Sequence, residues 1–247
     1  MLVSIITATY NSANFINETY DAIKNQSHEN WEWLVTDDCS SDNTREILKE
    51  IASLDSRVIL FFNNVNSGAA VTRNRSLSNV KGEFIAFIDS DDLWAKDKLM
   101  NQLEFMTDGI NFSFTAYELV DINGNALNKT VGLNYPKCFS YIDQLYRKGV
   151  IGCSTVMLRK SAFDDLKMPL IRSRQDYAFW LKLLKHGEKA YSINKVLTRY
   201  RIVPNSISSN KFKAAMQTWY VYRNIEKLSF FASLRCFLSY AWTGVFK

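Results

Sequence analysis

Phe84-Ile85-Ala86-Phe87-Ile88-Asp89-Ser90-Asp91-Asp92-Leu93-Trp94 joins an uninterrupted apolar run to three carboxylates within four residues. Such a run reads as a buried strand, and the acids fall at its carboxyl end. Carboxylates this crowded repel one another unless a cation or several hydrogen-bond donors meet them. A divalent metal is the economical explanation. Mg²⁺ and Mn²⁺ prefer oxygen ligands, and Mg²⁺ often takes one or two protein carboxylates while water and substrate phosphates complete its shell. Taken alone, the stretch also reads as an acidic loop capping the next helix.

Upstream, strands and helices alternate. Val3 to Thr7 is a first apolar strand, followed by a helical pattern through Phe15, Ile16, Thr19, Ala22 and Ile23. Trp31 to Thr36 is a second strand ending at Asp37 and Asp38; Ser40 to Thr44, rich in N-cap residues, precedes a helix carrying Ile47, Leu48 and Ile51. Val58 to Phe62 is a third strand, Ala69 to Asn79 a third helix, and Phe84 to Ile88 a fourth strand. This β-α-β series predicts an α/β fold, a parallel sheet covered by helices with ligands beyond the carboxyl ends of the strands. The acids at 37–38 and 89–92 are therefore expected on one rim. Downstream come a helix at Lys96 to Met106, strands at Phe112 to Val120, after the Asn123-Gly124 turn, at Ser154 to Leu158 and at Val196 to Ile202, a helix at Gln175 to Lys185, and two closing helices. Parallel order gives way to mixed order in this half.

Composition narrows the classes. At 247 residues and 47% hydrophobic content, with 9 Gly and 3 Pro, the chain is an ordinary folded protein without repeats or low-complexity segments. Cys39, Cys138, Cys153 and Cys236 show no close pairing, and His28 and His186 form no ligand cluster, which argues against zinc and a disulfide scaffold. The start of the chain lacks the pattern of a signal peptide and no run of about twenty apolar residues occurs, so a cytosolic protein is expected. Residues 1–136 carry 10 Lys and Arg against 19 Asp and Glu, a net −9, whereas residues 137–247 carry 20 against 6, a net +14. The basic half suits nucleic acid, anionic phosphate groups or an anionic membrane, or is only a solvated face. Glycine-rich cradles for ATP or dinucleotides are missing. Phosphates must be met otherwise, by a metal at Asp91 with Arg73, Arg199 or Arg201.

Five segments together carry a resemblance: Val3-Ser-Ile-Ile-Thr-Ala-Thr-Tyr-Asn11, Val35-Thr-Asp-Asp-Cys-Ser-Ser-Asp-Asn-Thr44, Arg73-Asn74, Gly82 to Trp94, and Gln175-Asp-Tyr-Ala-Phe-Trp180. In order and spacing this set resembles family 2 glycosyltransferases of the GT-A fold, over about residues 1–205. Arg174 to Lys182, Tyr200 to Lys211 and Trp219-Tyr-Val-Tyr222 are similar to the bacterial members that build O-antigen, capsule or teichuronic-type polysaccharides. The resemblance implies a GT-A mixed sheet flanked by helices, with residues 1–110 as the nucleotide-binding half, 111–205 as the acceptor and catalytic half, and 206–247 as a C-terminal helical extension.

It also implies roles. Ala8, Thr9, Tyr10 and Asp38 would hold the base, with Asp38 accepting from its N–H, which suits uracil; Arg73 would sit beside the nucleotide, and Asp89 and Ser90 near the ribose. Asp91 would bind the Mn²⁺ or Mg²⁺ that bridges the diphosphate, and Asp176 matches the base that deprotonates the acceptor. The implied reaction is inverting transfer of a hexose, glucose or galactose, from a UDP-sugar to a lipid-diphosphate-linked saccharide, with no nucleic-acid partner. Two positions depart from the pattern. Gln175 stands where many relatives have Glu, and Val203 where many have His; Arg199, Arg201 and Lys211 are the residues at hand to compensate. Two other classes remain open: an aspartyl-phosphate phosphatase with Asp89 as nucleophile, and a silent nucleotide-sugar binding module.

The chain ends in Ser229 to Lys247, with Phe230, Leu234, Phe237, Leu238, Ala241 and Val245 at helical spacing and Phe231, Trp242 and Phe246 beside them. Interrupted by Arg235 and serines, it is expected to lie in the interface of an anionic inner leaflet rather than span it, as a peripheral protein, or else to pack on the core or in a homodimer.

Overall fold

The computed structural model describes residues 1–107, 109–146, 151–203 and 211–245. Residues 204–210, within the stretch singled out after Tyr200, and Phe246 lie outside them, as does the side chain of Lys211.

The first four strands are β1 (Val3–Thr9), β2 (Trp31–Asp37), β3 (Val58–Phe62) and β4 (Phe84–Phe87), separated by α1 (Ile16–Lys24), α2 (Thr44–Leu54) and α3 (Ala69–Leu77). All pair in parallel, in the order β3-β2-β1-β4. Each helix buries residues three and four apart, such as Ile16, Thr19, Tyr20 and Ile23 on α1, because that stripe must cover an apolar sheet face. Strands β1, β2 and β4 are buried on both faces, and their side chains alternate between them. Ile6, Leu34, Ile85 and Phe87 face one core, and Val3, Ile5, Trp33, Val35, Phe84 and Ala86 face the other.

The second half comprises β5 (Leu93–Trp94), α4 (Lys98–Phe105), β6 (Phe112–Val120), β7 (Ala126–Val131), β8 (Cys138–Phe139), α5 (Tyr141–Tyr146), β9 (Val156–Arg159), α6 (Gln175–Leu184), β10 (Ala190–Arg201), α7 (Lys211–Tyr220) and α8 (Phe230–Val245). Strand β9 runs antiparallel to both β4 and β6, and β10 pairs in parallel with β6. The order β3-β2-β1-β4-β9-β6-β10-β5 is thus a mixed sheet in which β1, β2, β3, β4, β6 and β10 all point one way. Their carboxyl ends share a rim.

Three segments differ from the sequence reading. The strand expected from Ser154 begins at Val156, because Cys153–Thr155 forms a 3₁₀ turn whose Thr155 N–H donates to Gly152 O. The strand expected from Val196 begins at Ala190, and a shift of register between Ile193 and Val196 hides the first part behind polar Asn194 and Lys195. Leu93–Trp94, assigned to no element from sequence, pairs with Thr198 and Arg199 as β5.

Gly82 fixes how closely the turn before β4 approaches β1. A Cβ there would lie 2.6 Å from Leu2 O and 2.7 Å from Ser4 N, backbone that cannot move without breaking the sheet. Its N–H donates to Ser4 Oγ at 2.8 Å, and that hydroxyl donates to the buried carboxylate of Glu32 at 2.5 Å. Gly82→Ala is expected to destabilise the fold by about 2–3 kcal/mol. Urea denaturation measures this, and an unchanged midpoint would refute the close approach.

Candidate active site

Asp89 to Asp92 form the tight turn between β4 and β5, closed by Asp92 N–H donating to Asp89 O at 3.2 Å. The turn sends its acids to different places. Asp89 pairs with Arg73 of α3 at 2.5 Å, and its N–H donates to Ser154 Oγ at 3.0 Å. Ser90 shares a hydrogen bond of 2.8 Å with Ser12. Asp92 points inward, accepting from Ser154 Oγ at 2.5 Å and from Arg201 N–H at 2.9 Å. Burial first, then the charges of Asp91 and Asp89, push its pKa well above the usual carboxylate range. Asp91 lines a cavity, and among the described residues its carboxylate has no side-chain partner, only its own backbone N–H favouring the charge. Burial, followed by repulsion from Asp89, pushes it up to about 6.

This cavity, about 630 Å³, opens at the carboxyl rim. Ala8, Thr9, Tyr10, Asp38, Arg73, Asp89, Ser90, Asp91 and Asp176, which the sequence reading selected from five separate segments, all line it. Asp37 does not. It is buried beneath the rim and held by Arg45 Nε at 2.5 Å and by Ser40, so the expectation of a two-acid cluster there reduces to Asp38. The correction follows from side-chain alternation at a strand end.

Asp38 accepts from Asn63 Nδ2 at 2.9 Å, Ser67 N–H at 2.9 Å and Gly68 N–H at 2.7 Å, and thereby shapes the loop into α3. Burial works against its charge, but these donors outweigh it and hold the pKa below the usual range. Arg73 is buried, and its Nε and Nη1 have no hydrogen-bond partner. Burial disfavours its charge; Cys153, Asp89 and Asp176 around it raise its pKa all the same. Because burial pushes the Cys153 thiol well above its usual range and leaves it neutral, the two carboxylates carry that effect. Thr9 Oγ1 and Gln175 Oε1, also on the cavity wall, are likewise buried without a partner. Unsatisfied buried groups cost about 1–3 kcal/mol each, and four such atoms belong to residues that line this one cavity.

Residues 172–176 also line the cavity. Arg172 donates to Asn66 Oδ1 at 3.0 Å and lies over Gly68. Arg174 takes a left-handed backbone, φ 63°, immediately before α6. Gln175 and Asp176 then occupy the first turn of α6, where the helix N-terminus favours a carboxylate. Tyr200, Val203 and Ala214 close the far side.

Arg199 and Arg201 are committed elsewhere and do not compensate for Val203. Arg199 pairs with Glu118 at 2.9 Å and donates to Gly124 O. Arg201, buried, donates to Asp91 O, Ile122 O and Glu18 Oε2, so it clamps the acidic turn from behind. Among the described residues, the cations that do border the cavity, beyond Arg73, are Arg172 and Arg174. Sequence reasoning passed over Arg172 and used Arg174 only as part of a motif.

The model of the glycosyl transferase family 2 domain matches residues 4–167. The chain belongs to that family. This family 2 glycosyltransferase is 47% identical over 247 residues to TuaG of Bacillus subtilis (strain 168), named for teichuronic acid biosynthesis, covering all of this chain and 97% of that protein. It is 36% identical over 249 residues to the Escherichia coli UDP-Glc:alpha-D-GlcNAc-diphosphoundecaprenol beta-1,3-glucosyltransferase WfaP, across 100% of this chain and 95% of WfaP. Solved structures share the GT-A fold. Staphylococcus aureus TarS 1-349 with UDP-GlcNAc superposes with a TM-score of 0.71 at 20% identity, over 91% of this chain and 67% of that one. The Pyrobaculum calidifontis mannosyltransferase PcManGT, in complex with GDP-Man and Mn²⁺, gives 0.70 at 18% identity, over 92% and 64%. Membership of this family sets the phosphatase reading aside, and Asp89, tied to Arg73, is not poised as a nucleophile.

Whether a divalent cation fits depends on the donors. No group of three or more His, Cys, Asp or Glu that could hold a metal occurs among the described residues. Asp91 offers a cavity-facing carboxylate near the charge of Asp89, a donor set suited to a cation that draws the rest of its shell from phosphate and water.

Proposed function

We propose that this enzyme transfers a hexosyl group, with inversion, from a UDP-sugar to a hydroxyl of a saccharide carried on a lipid diphosphate, in the synthesis of a bacterial surface polysaccharide. The observation that carries the reading is the cavity itself: residues from β1, β2, α3 and the β4–β5 turn line it together with Asp176 of α6. The names of TuaG and WfaP support the polymer and the lipid-linked acceptor, and UDP-bound TarS supports the nucleotide. Residues 1–205 form the transferase unit in this reading, with 206–247 as the extension.

Ala8, Thr9 and Tyr10 bind the base together with Asp38, and Ser90 lies toward the ribose. Arg73 supplies positive charge beside the donor, while Asp89 holds it in place. Asp91 would hold Mn²⁺ or Mg²⁺, and when bound such an ion supplies positive charge against the leaving diphosphate. Arg172 and Arg174, which line the same cavity, add charge of the same sign. Asp176 accepts the proton of the acceptor hydroxyl. The freed oxygen pair forms the new bond to the anomeric carbon, and the bond to the diphosphate oxygen breaks with its electrons leaving on UDP. A single displacement converts an α-linked donor into a β-linked product. Gln175, neutral where a second carboxylate would repel Asp176, leaves that base its charge without a like neighbour in sequence.

A panel of UDP-sugars assayed by UDP release, with NMR of the product, tests the reading. UDP-glucose or UDP-galactose is expected to give the highest turnover and a β linkage. An α-linked product from an α-linked donor would refute inversion.

A further inference from the structure

Helices α7 and α8 each bury one face and expose an apolar stripe on the other. On α7, Ala214 and Thr218 are buried and Ala214 lines the cavity, whereas Phe212 and Met216, one turn apart, are 78% and 57% exposed. On α8, Ser233 and Cys236 are buried, and Phe231 and Leu238 are 80% and 60% exposed with Leu234 between them. Trp219 joins the two helices through edge-on contacts to Phe230 and Phe237, with centroids 5.9 and 5.6 Å apart. Large apolar side chains repeating at helical spacing on adjacent helices are more than scattered surface residues.

The charge around these stripes has one sign. Residues 211–245 carry five Lys and Arg and a single acid, Glu226. Glu226 is buried and bound to Tyr141 and Lys185, whereas Lys227 and Arg235 are exposed. A second copy of this chain would set like-charged rims together, while an anionic lipid surface neutralises them. No helix among the described residues is long and apolar enough to cross a membrane, so contact is lateral.

We infer that the exposed faces of α7 and α8 lie against an anionic lipid surface, with α7 as the wall between that surface and the reaction cavity. The inference deepens the proposed transfer to a lipid-linked acceptor and rests on it for its purpose. Because α7 presents Ala214 to the cavity and Phe212 and Met216 outward, the cavity stands about one helix diameter, roughly 10 Å, from the lipid. An acceptor diphosphate at the headgroup level then needs no extraction from the bilayer.

Flotation of the full chain with phosphatidylcholine vesicles of increasing phosphatidylglycerol content tests the contact. Binding is expected to rise with anionic lipid and fall with salt. Phe212→Ser with Met216→Ser, and separately Phe231→Ser with Leu238→Ser, should each weaken it by about tenfold or more without lowering the melting temperature, since all four side chains are exposed. Absence of binding at low salt, or binding indifferent to both pairs, would overturn the inference. So would a dimer by light scattering that both pairs abolish in a protein that ignores vesicles. UDP release with a water-soluble acceptor analogue, measured alongside, separates the two readings: turnover without vesicle binding removes the lipid contact alone, and vesicle binding without turnover removes the transfer reading alone.

Discussion

Asp176→Asn is expected to lower kcat by at least about 10², the usual worth of a positioned general base, while UDP-sugar affinity stays within a few-fold of wild type. Asparagine keeps the shape of the side chain and the start of α6 but removes the charge that accepts a proton. The flanking structure does not depend on that charge, because Arg73 retains its pairing with Asp89. Steady-state UDP release together with calorimetric titration of the donor separates the cases. Retention of more than about a tenth of wild-type kcat would argue against a base. Loss of donor binding with the same variant would place Asp176 on the donor instead.

The second large effect concerns Asp91. Wild-type protein is expected to bind UDP far more tightly with Mn²⁺ or Mg²⁺ than without, and Asp91→Ala to bind weakly in both conditions. Asp91 faces the cavity, while Asp92 is turned inward onto Ser154 and the β10 backbone and Asp89 onto Arg73. A protein that offers one free carboxylate leaves the rest of the coordination to the diphosphate, so metal and nucleotide should bind together. Titration of UDP into wild type and Asp91→Ala, each with and without metal, reads this directly. Equal affinity in all four conditions would eliminate the metal role.

The parallel half of the fold was legible because each strand is an apolar run and each helix keeps its buried stripe at regular spacing. Strand β5 was not, since two residues inside an acidic turn carry no period, and its existence depends on pairing with Thr198 and Arg199 far along the chain. The short β8 and α5 escaped for the same reason of length. At the site, residue types next to strand ends were readable, and nine of them line one cavity. What side chains do with one another was not. Asp37 and Asp38 look alike in sequence, but one is sealed under Arg45 and the other organises Asn63, Ser67 and Gly68. Arg201 reads as a spare cation until its four hydrogen bonds to three other segments are seen.

The left-handed residue before α6 bears on how this enzyme could be engineered or could drift. An L-residue other than glycine, asparagine or aspartate loses roughly 1–2 kcal/mol in that conformation, so Arg174→Gly would be among the easiest stabilising replacements in the chain. A search for thermal robustness alone would find it early, and would discard a guanidinium at the mouth of the cavity. Under the proposed transfer, stability and turnover are set in opposition at a single backbone torsion, and ranking variants by melting temperature would select against the activity.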